Sequence, residues 1–119
     1  MKTNVNTSQG LSIFRSIDLD ETEEEVSAGE CVVFWIETHN NSAADRFIKL
    51  YNAAAADVAV GTTTPVITYV AEASTGKTFS IDAGLRFSTA LSVAATTAVA
   101  DADTGAPGTN DVLINIGYA

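Results

Sequence analysis

The segment Ser74-Thr-Gly-Lys-Thr-Phe-Ser80 contains Gly-Lys-Thr, the tail of a phosphate-binding loop. Such a loop needs a further glycine five residues ahead of its Gly-Lys, where it turns the backbone tightly. Position 71 is alanine. It also needs a helix behind it, whose first amides point at phosphate, whereas "KTFSID" alternates like a strand. The pattern predicts a hairpin turn at Thr75-Gly76 instead. In "DADTG", Asp101 and Asp103 stand near Asn110 and Asp111. Alternate oxygen ligands in a tight loop can converge on a hard cation, so these four are the candidate calcium ligands. The offsets and flanking helices of an EF-hand are missing. The competing reading is a solvated loop whose Asp side chains bond to nearby backbone. No cofactor is expected.

Six acids lie between Asp18 and Glu25. A run of this kind reads as a self-repelling, solvated loop, or as a patch meeting a basic partner surface or a cation. The chain has one histidine, His39, and one cysteine, Cys31. That excludes an ordinary zinc site within one chain. It also excludes an intrachain disulfide. Cys31 sits in the apolar run "CVVFWI" and reads as a small buried hydrophobe. No nucleophile elbow accompanies His39. A pair of carboxylates for glycoside chemistry is conceivable in any β-sandwich groove, but no pair is singled out. The expectation is therefore no enzyme.

Aromatic residues offer binding rather than catalysis. Phe34 and Trp35 are adjacent, and neighbours on a regular strand point to opposite faces. One of the two is then predicted to leave the core. Phe34, Trp35, Tyr51 and Tyr118 are the candidate interface residues, suited to subunit association or to stacking on a sugar ring.

The elements that would position these groups are strands. Leu85, Phe87, Thr89, Leu91 and Val93 alternate with small or polar residues, which predicts one strand through Val93. Its alanines mark a face closely packed by something, or open to solvent. Val112, Ile114, Ile116 and Tyr118 alternate in the same way. Near the start Leu11, Ile13, Ile17 and Leu19 share a parity that Arg15 breaks. Pro65 opens "PVITYV", where a strand can spare an amide. "CVVFWIET" is apolar on both faces and predicts a central strand, covered by core on one side and by a partner on the other. "RFIKLYN" follows across "HNNSAAD", which predicts a hairpin. "NAAAADVA" allows one helical turn at most. The sum is an all-β chain, a β-sandwich or jelly roll of about 7–8 antiparallel strands. One domain over 11–119 follows a polar N-terminal arm over 1–10.

Composition agrees with a single packed domain: 119 residues, 46% of them hydrophobic. A net charge of −9, with no basic cluster, opposes nucleic-acid and anionic membrane partners. No run is long and apolar enough for a membrane span. The first ten residues lack the apolar centre of a signal peptide. Synthesis in a cytoplasm is expected.

From residue 40 onward the chain resembles a group of small tailed-phage virion proteins. The resemblance is carried by "NNSAADRFIKLYN", "VGTTTPVITYV", "GLRFSTALSVAATTAVADADTG" and "DVLINIGYA". Ala90 stands where that pattern has glycine, and "AEASTGKT" replaces a Pro/Gly-containing turn. The resemblance implies a β-sandwich structural protein of the particle, with no catalytic residues. Its implied role is a decoration or cement protein on the outer surface of the capsid, self-associated and bound to the major capsid protein or another virion protein. The alternative within the same particle is a tail-associated adaptor or a receptor- or glycan-binding module.

Overall fold

The computed structural model describes residues 10–119. Apart from Gly10, the arm expected over 1–10 lies outside the described residues. Among those described, eight strands form two antiparallel sheets. The first holds β1 (Ser12–Ser16), β8 (Val112–Tyr118), β3 (Cys31–Asn40) and β6 (Thr75–Phe87), side by side in that order. The second holds β2 (Glu24–Ser27), β7 (Leu91–Thr96), β4 (Arg46–Tyr51) and β5 (Ile67–Ala71). The expected all-β sandwich is what the chain forms.

Its wiring is that of a jelly roll. β1 pairs with β8, β2 with β7, β3 with β6 and β4 with β5, which is one long hairpin folded at its middle. Rolling that double ribbon brings β8 against β3 and β7 against β4, and the two sheets close over one core. Consecutive strands therefore lie in opposite sheets, except β4 and β5.

Three expectations from the sequence are corrected by this wiring. β3 and β4 are not a hairpin, because the segment after Asn40 crosses from the first sheet to the second. Asn40 holds that corner: its amide donates to the carbonyls of Ala44 and Ala71, and its Oδ1 accepts from Ser42 N. β5 and β6 are likewise a crossing rather than a hairpin. Their bend falls at Glu72–Ser74, with Ser74 at φ 54°, while Gly76-Lys77-Thr78 lies inside β6. The strand expected through Val93 is two strands. The chain leaves the first sheet after Phe87 and joins the second at Leu91, and the Asn52 side chain accepts hydrogen bonds from Thr89 N and Ala90 N at the corner. An apolar side chain that faces the core from one sheet still faces it from the other, so alternation runs through such corners unbroken.

The core lies between the sheets. Val33, Ile36, Ile48, Leu50, Phe87, Leu91, Val93, Ile114 and Ile116 are buried there. β1 corrects a further expectation. Its register with β8 sets Phe14 opposite Ile116, so Phe14 packs on the core. Leu11, Ile13 and Ile17 take the other parity and stand exposed. Leu19 reaches the core only because the chain bends after Ile17.

Cys31 is buried on the inner face of β3, and burial pushes its thiol up from the usual range, partly offset by a hydrogen bond with Ser27. Because the thiolate is the reacting species, native Cys31 is expected to resist an aromatic disulfide reagent. Labelling should keep pace with global unfolding in a urea series; fast labelling at zero urea would contradict the burial.

Candidate functional site

The outer faces of the two sheets differ, and that difference locates the site. Over the second sheet, the chain covers itself. Lys49 and Tyr51 of β4 and Ser92, Ala94 and Thr96 of β7 all point outward, and all are fully buried. Tyr51, Val58 and Ala94 form a small second core with Ala53 and Val60, so the segment from Asn52 to Thr64, with a 3-10 turn at Ala55–Asp57, lies on this face. The segment from Thr97 to Asp111 covers the rest. Ala100 O accepts a 2.6 Å hydrogen bond from Lys49 Nζ, and Gly61 packs against Thr104. The small outward residues of β7 are thus the seat of two loops. Tyr51, a candidate interface residue, is removed from the surface by them. Its hydroxyl is buried without a partner, and its pKa is raised by that burial and by Asp101 and Glu23.

The first sheet has no such cover among the described residues. Its outer face is built in rows, because residues paired across antiparallel strands sit side by side on one face. One row runs Ile13, Gly117, Trp35, Ser80 across β1, β8, β3 and β6. The next runs Arg15, Asn115, Glu37, Thr78, and Asn115 Nδ2 donates to Glu37 Oε1 at 3.0 Å. Beyond it lie Leu113, His39 and Gly76. Ile13 of the edge strand is 55% exposed, and Leu11 and Ile17 just before and after it are 41% and 47% exposed, so the edge of an otherwise mixed face is apolar.

Phe34 and Trp35 do not point apart as expected for a regular strand. From Val33 to Trp35 the chain advances two residues while β8 retreats one, from Tyr118 to Gly117. Phe34 is therefore the extra residue of a β-bulge, and a bulge puts both neighbours on one side. Core-facing positions switch from Cys31 and Val33 to Ile36, Thr38 and Asn40 across it. Phe34 lies with Val32 against Gly84, and the Trp35 indole lies against Gly117. Gly84 has φ 81° where β6 bulges opposite, a conformation that disfavours any side chain. Both aromatics are half-buried on the outer face. Tyr118 instead packs on the edge of the core.

At the far end of this face a shallow groove is lined by Glu37, Thr38, His39, Gly76, Lys77, Thr78 and Leu113. One carboxylate lines it, so it does not supply the pair that glycoside hydrolysis uses.

The candidate calcium ligands are not brought together on one point. Asp103 Oδ2 accepts from Ala98 N and Gly105 N, Asp111 is paired with Arg46 at 3.1 Å, and Asn110 donates its backbone N–H to Asp18 Oδ1. Asp101 stands exposed. These groups fold the loop. The acidic run is similarly employed. Asp20 Oδ1 accepts from Thr22 N, Glu25 Oε1 accepts from Ala55 N, and Glu24 and Glu25 belong to β2 rather than to a loop.

Glu24 carries a pH effect. Desolvation, then Asp20 and Asp18, raise its pKa above the usual carboxylate range, against a hydrogen bond from Ser16 Oγ. A carboxyl raised on folding holds its proton more tightly in the native state. Its contribution to stability is then greatest below the unfolded value and declines as pH rises through the folded one. Glu24→Gln is expected to raise the urea midpoint at pH 7 and to leave it unchanged below pH 4. An equal gain at both pH values would refute the assignment.

Against known proteins, no family model, no curated protein and no solved structure matches this chain.

Proposed function

We propose that the chain is a structural protein of a tailed-phage particle, a decoration or cement protein that stabilises the outside of the shell through repeated non-covalent contacts. The reading is supported foremost by the asymmetry of the sandwich: one outer face is sealed by the chain's own loops, while the other presents Ile13, Phe34 and Trp35, with Leu11 and Ile17 exposed on either side of β1. A bare, partly apolar sheet face is a surface for other polypeptides. The −9 charge opposes contact with packaged DNA and favours the outer side. Many copies on a symmetric shell make weak single contacts sufficient. No turnover of a small molecule enters this role.

The test is co-sedimentation of purified chain with assembled capsids, followed by copy counting in purified particles by mass spectrometry. Saturable binding at a copy number matching the shell's symmetry is expected. A chain found only in tails, or in no particle, would refute it. A second reading, a glycan-binding tail module, is favoured by one observation: Trp35 stands on the same face as the groove of Glu37 and His39. Titration of the indole emission with glycans decides it.

A further inference from the structure

We propose that the outer face of the first sheet packs against the same face of a second copy, about a two-fold axis that runs along β8. This rests on the self-association in the reading above and is independent of the virion role.

A two-fold contact requires a patch that complements itself. The rows meet that requirement. An axis along β8 places each outward residue of β1 over the β3 residue of the second copy at the same level. Ile13 then falls on the second copy's Trp35, because both belong to the row through Gly117. Arg15 falls on the second copy's Glu37, because both belong to the row through Asn115. Within one chain these two charges are two strands apart, about 10 Å. Arg15 makes no ion pair among the described residues, where the pairs are Arg46–Asp111 and Arg86–Glu30. An axis across the strands at the same row would set Arg15 over Arg15 or Glu37 over Glu37, which is repulsive. Charge therefore favours the axis along β8 over an axis across that row.

One further observation supports a second copy as the occupant. A chain of net charge −9 repels its own copies unless they meet where acids are few. Glu23, Glu25, Asp57 and Asp101 gather around the loops of the other sheet, at Tyr51 and Ala55. In the overlap of β1, β8 and β3 the outward charges are Arg15 and Glu37, which offset each other; Arg86, paired with Glu30, and Asp82 lie on β6 outside it. The contact is modest in area: an axis along β8 overlaps β1, β8 and β3 of each copy and leaves β6 outside, so three strands about 14 Å across and the seven residues of β8, about 23 Å long, give roughly 330 Å² of sheet before side-chain relief, at the weak end of interfaces.

The experiment is sedimentation equilibrium of the full chain and its variants, with urea midpoints measured in parallel. The wild type is expected to be a dimer at about 100 µM. Arg15→Glu and Glu37→Arg should each weaken it about tenfold or more, since each change acts twice across the axis. The double exchange should restore it. Ile13→Asp should give a monomer whose urea midpoint equals that of the wild type measured at a concentration too low for dimers. A monomeric wild type, a dimer indifferent to the single reversals, or no recovery in the double exchange would overturn the proposal. Capsid binding separates the two readings: a monomer that still coats capsids removes only the dimer, and a dimer that ignores capsids removes only the virion role.

Discussion

Ile36→Ala should lower the unfolding free energy by about 3 kcal/mol, and its counterpart Ile13→Ala by less than about 0.5 kcal/mol. Ile36 is fully buried on the inner face of β3, paired with Ile116 on one side and Phe79 on the other. Removing three of its carbons forfeits their transfer from water and leaves a void that two sheets held by backbone hydrogen bonds cannot close. For a domain of this size the loss corresponds to a melting temperature lower by about 10–15 °C. Ile13 is 55% exposed on the opposite face, so its truncation leaves no void. Urea melts of both variants check the pair. Similar losses at the two positions would mean that β1 is turned over, as its sequence parity alone implied. The contrast thus tests the register of β1 against β8, on which the outer rows depend.

Gly117→Val is the second large effect. A β-carbon at this position would collide with the six-membered and pyrrole parts of the Trp35 indole. Gly117 is buried, with that ring against it, and lies between Ile13 and Trp35 in the register. The strand backbone is pinned on both sides, so the indole is the part that must move. Its displacement should cost about 2 kcal/mol and carry the ring into water. Trp35 is the only tryptophan, so emission reports it without ambiguity. A red shift of emission with a lower urea midpoint is the expected result, together with weaker self-association. Gly29→Ala is the control, because nothing lies within 4 Å of an added methyl there. An unshifted emission maximum in the Gly117 variant would contradict the placement of Trp35 on the outer face.

Both expectations depend on features that differ in how far sequence reaches them. Alternation in "VLINIGY" assigns Val112, Ile114 and Ile116 to the core, and the structure agrees, because a strand paired on both sides has no freedom to rotate. The same holds for the doubly apolar run of β3, which is central between β8 and β6 as its composition implied. The short 3-10 turn at Ala55–Asp57 fits the single helical turn allowed to "NAAAADVA". Edge strands are less legible. In β1 and on either side of it Leu11, Ile13 and Ile17 stand exposed while Phe14 packs inward, and for Ile13 and Phe14 only pairing with β8 decides between them.

What the sequence by itself determined is the period of the chain and hence its class. Residues alternating two by two, spaced by turn formers and without helical stripes, commit it to a sandwich. Its few titratable groups of catalytic type follow from composition alone. What only the tertiary structure decided is which strands share a sheet and which surfaces remain open. Alternation measures distance from the core, which is the same on both sheets, so it does not register the crossings after Asn40, Ala71 and Phe87. A bulge adds one residue without a compositional mark, and at Phe34 that single residue sets both aromatics on one face. Tyr51 and Trp35 read alike as aromatic residues within strands. The loop that follows Tyr51 and a second one from residues 97–111 bury the first, and no described segment covers the second.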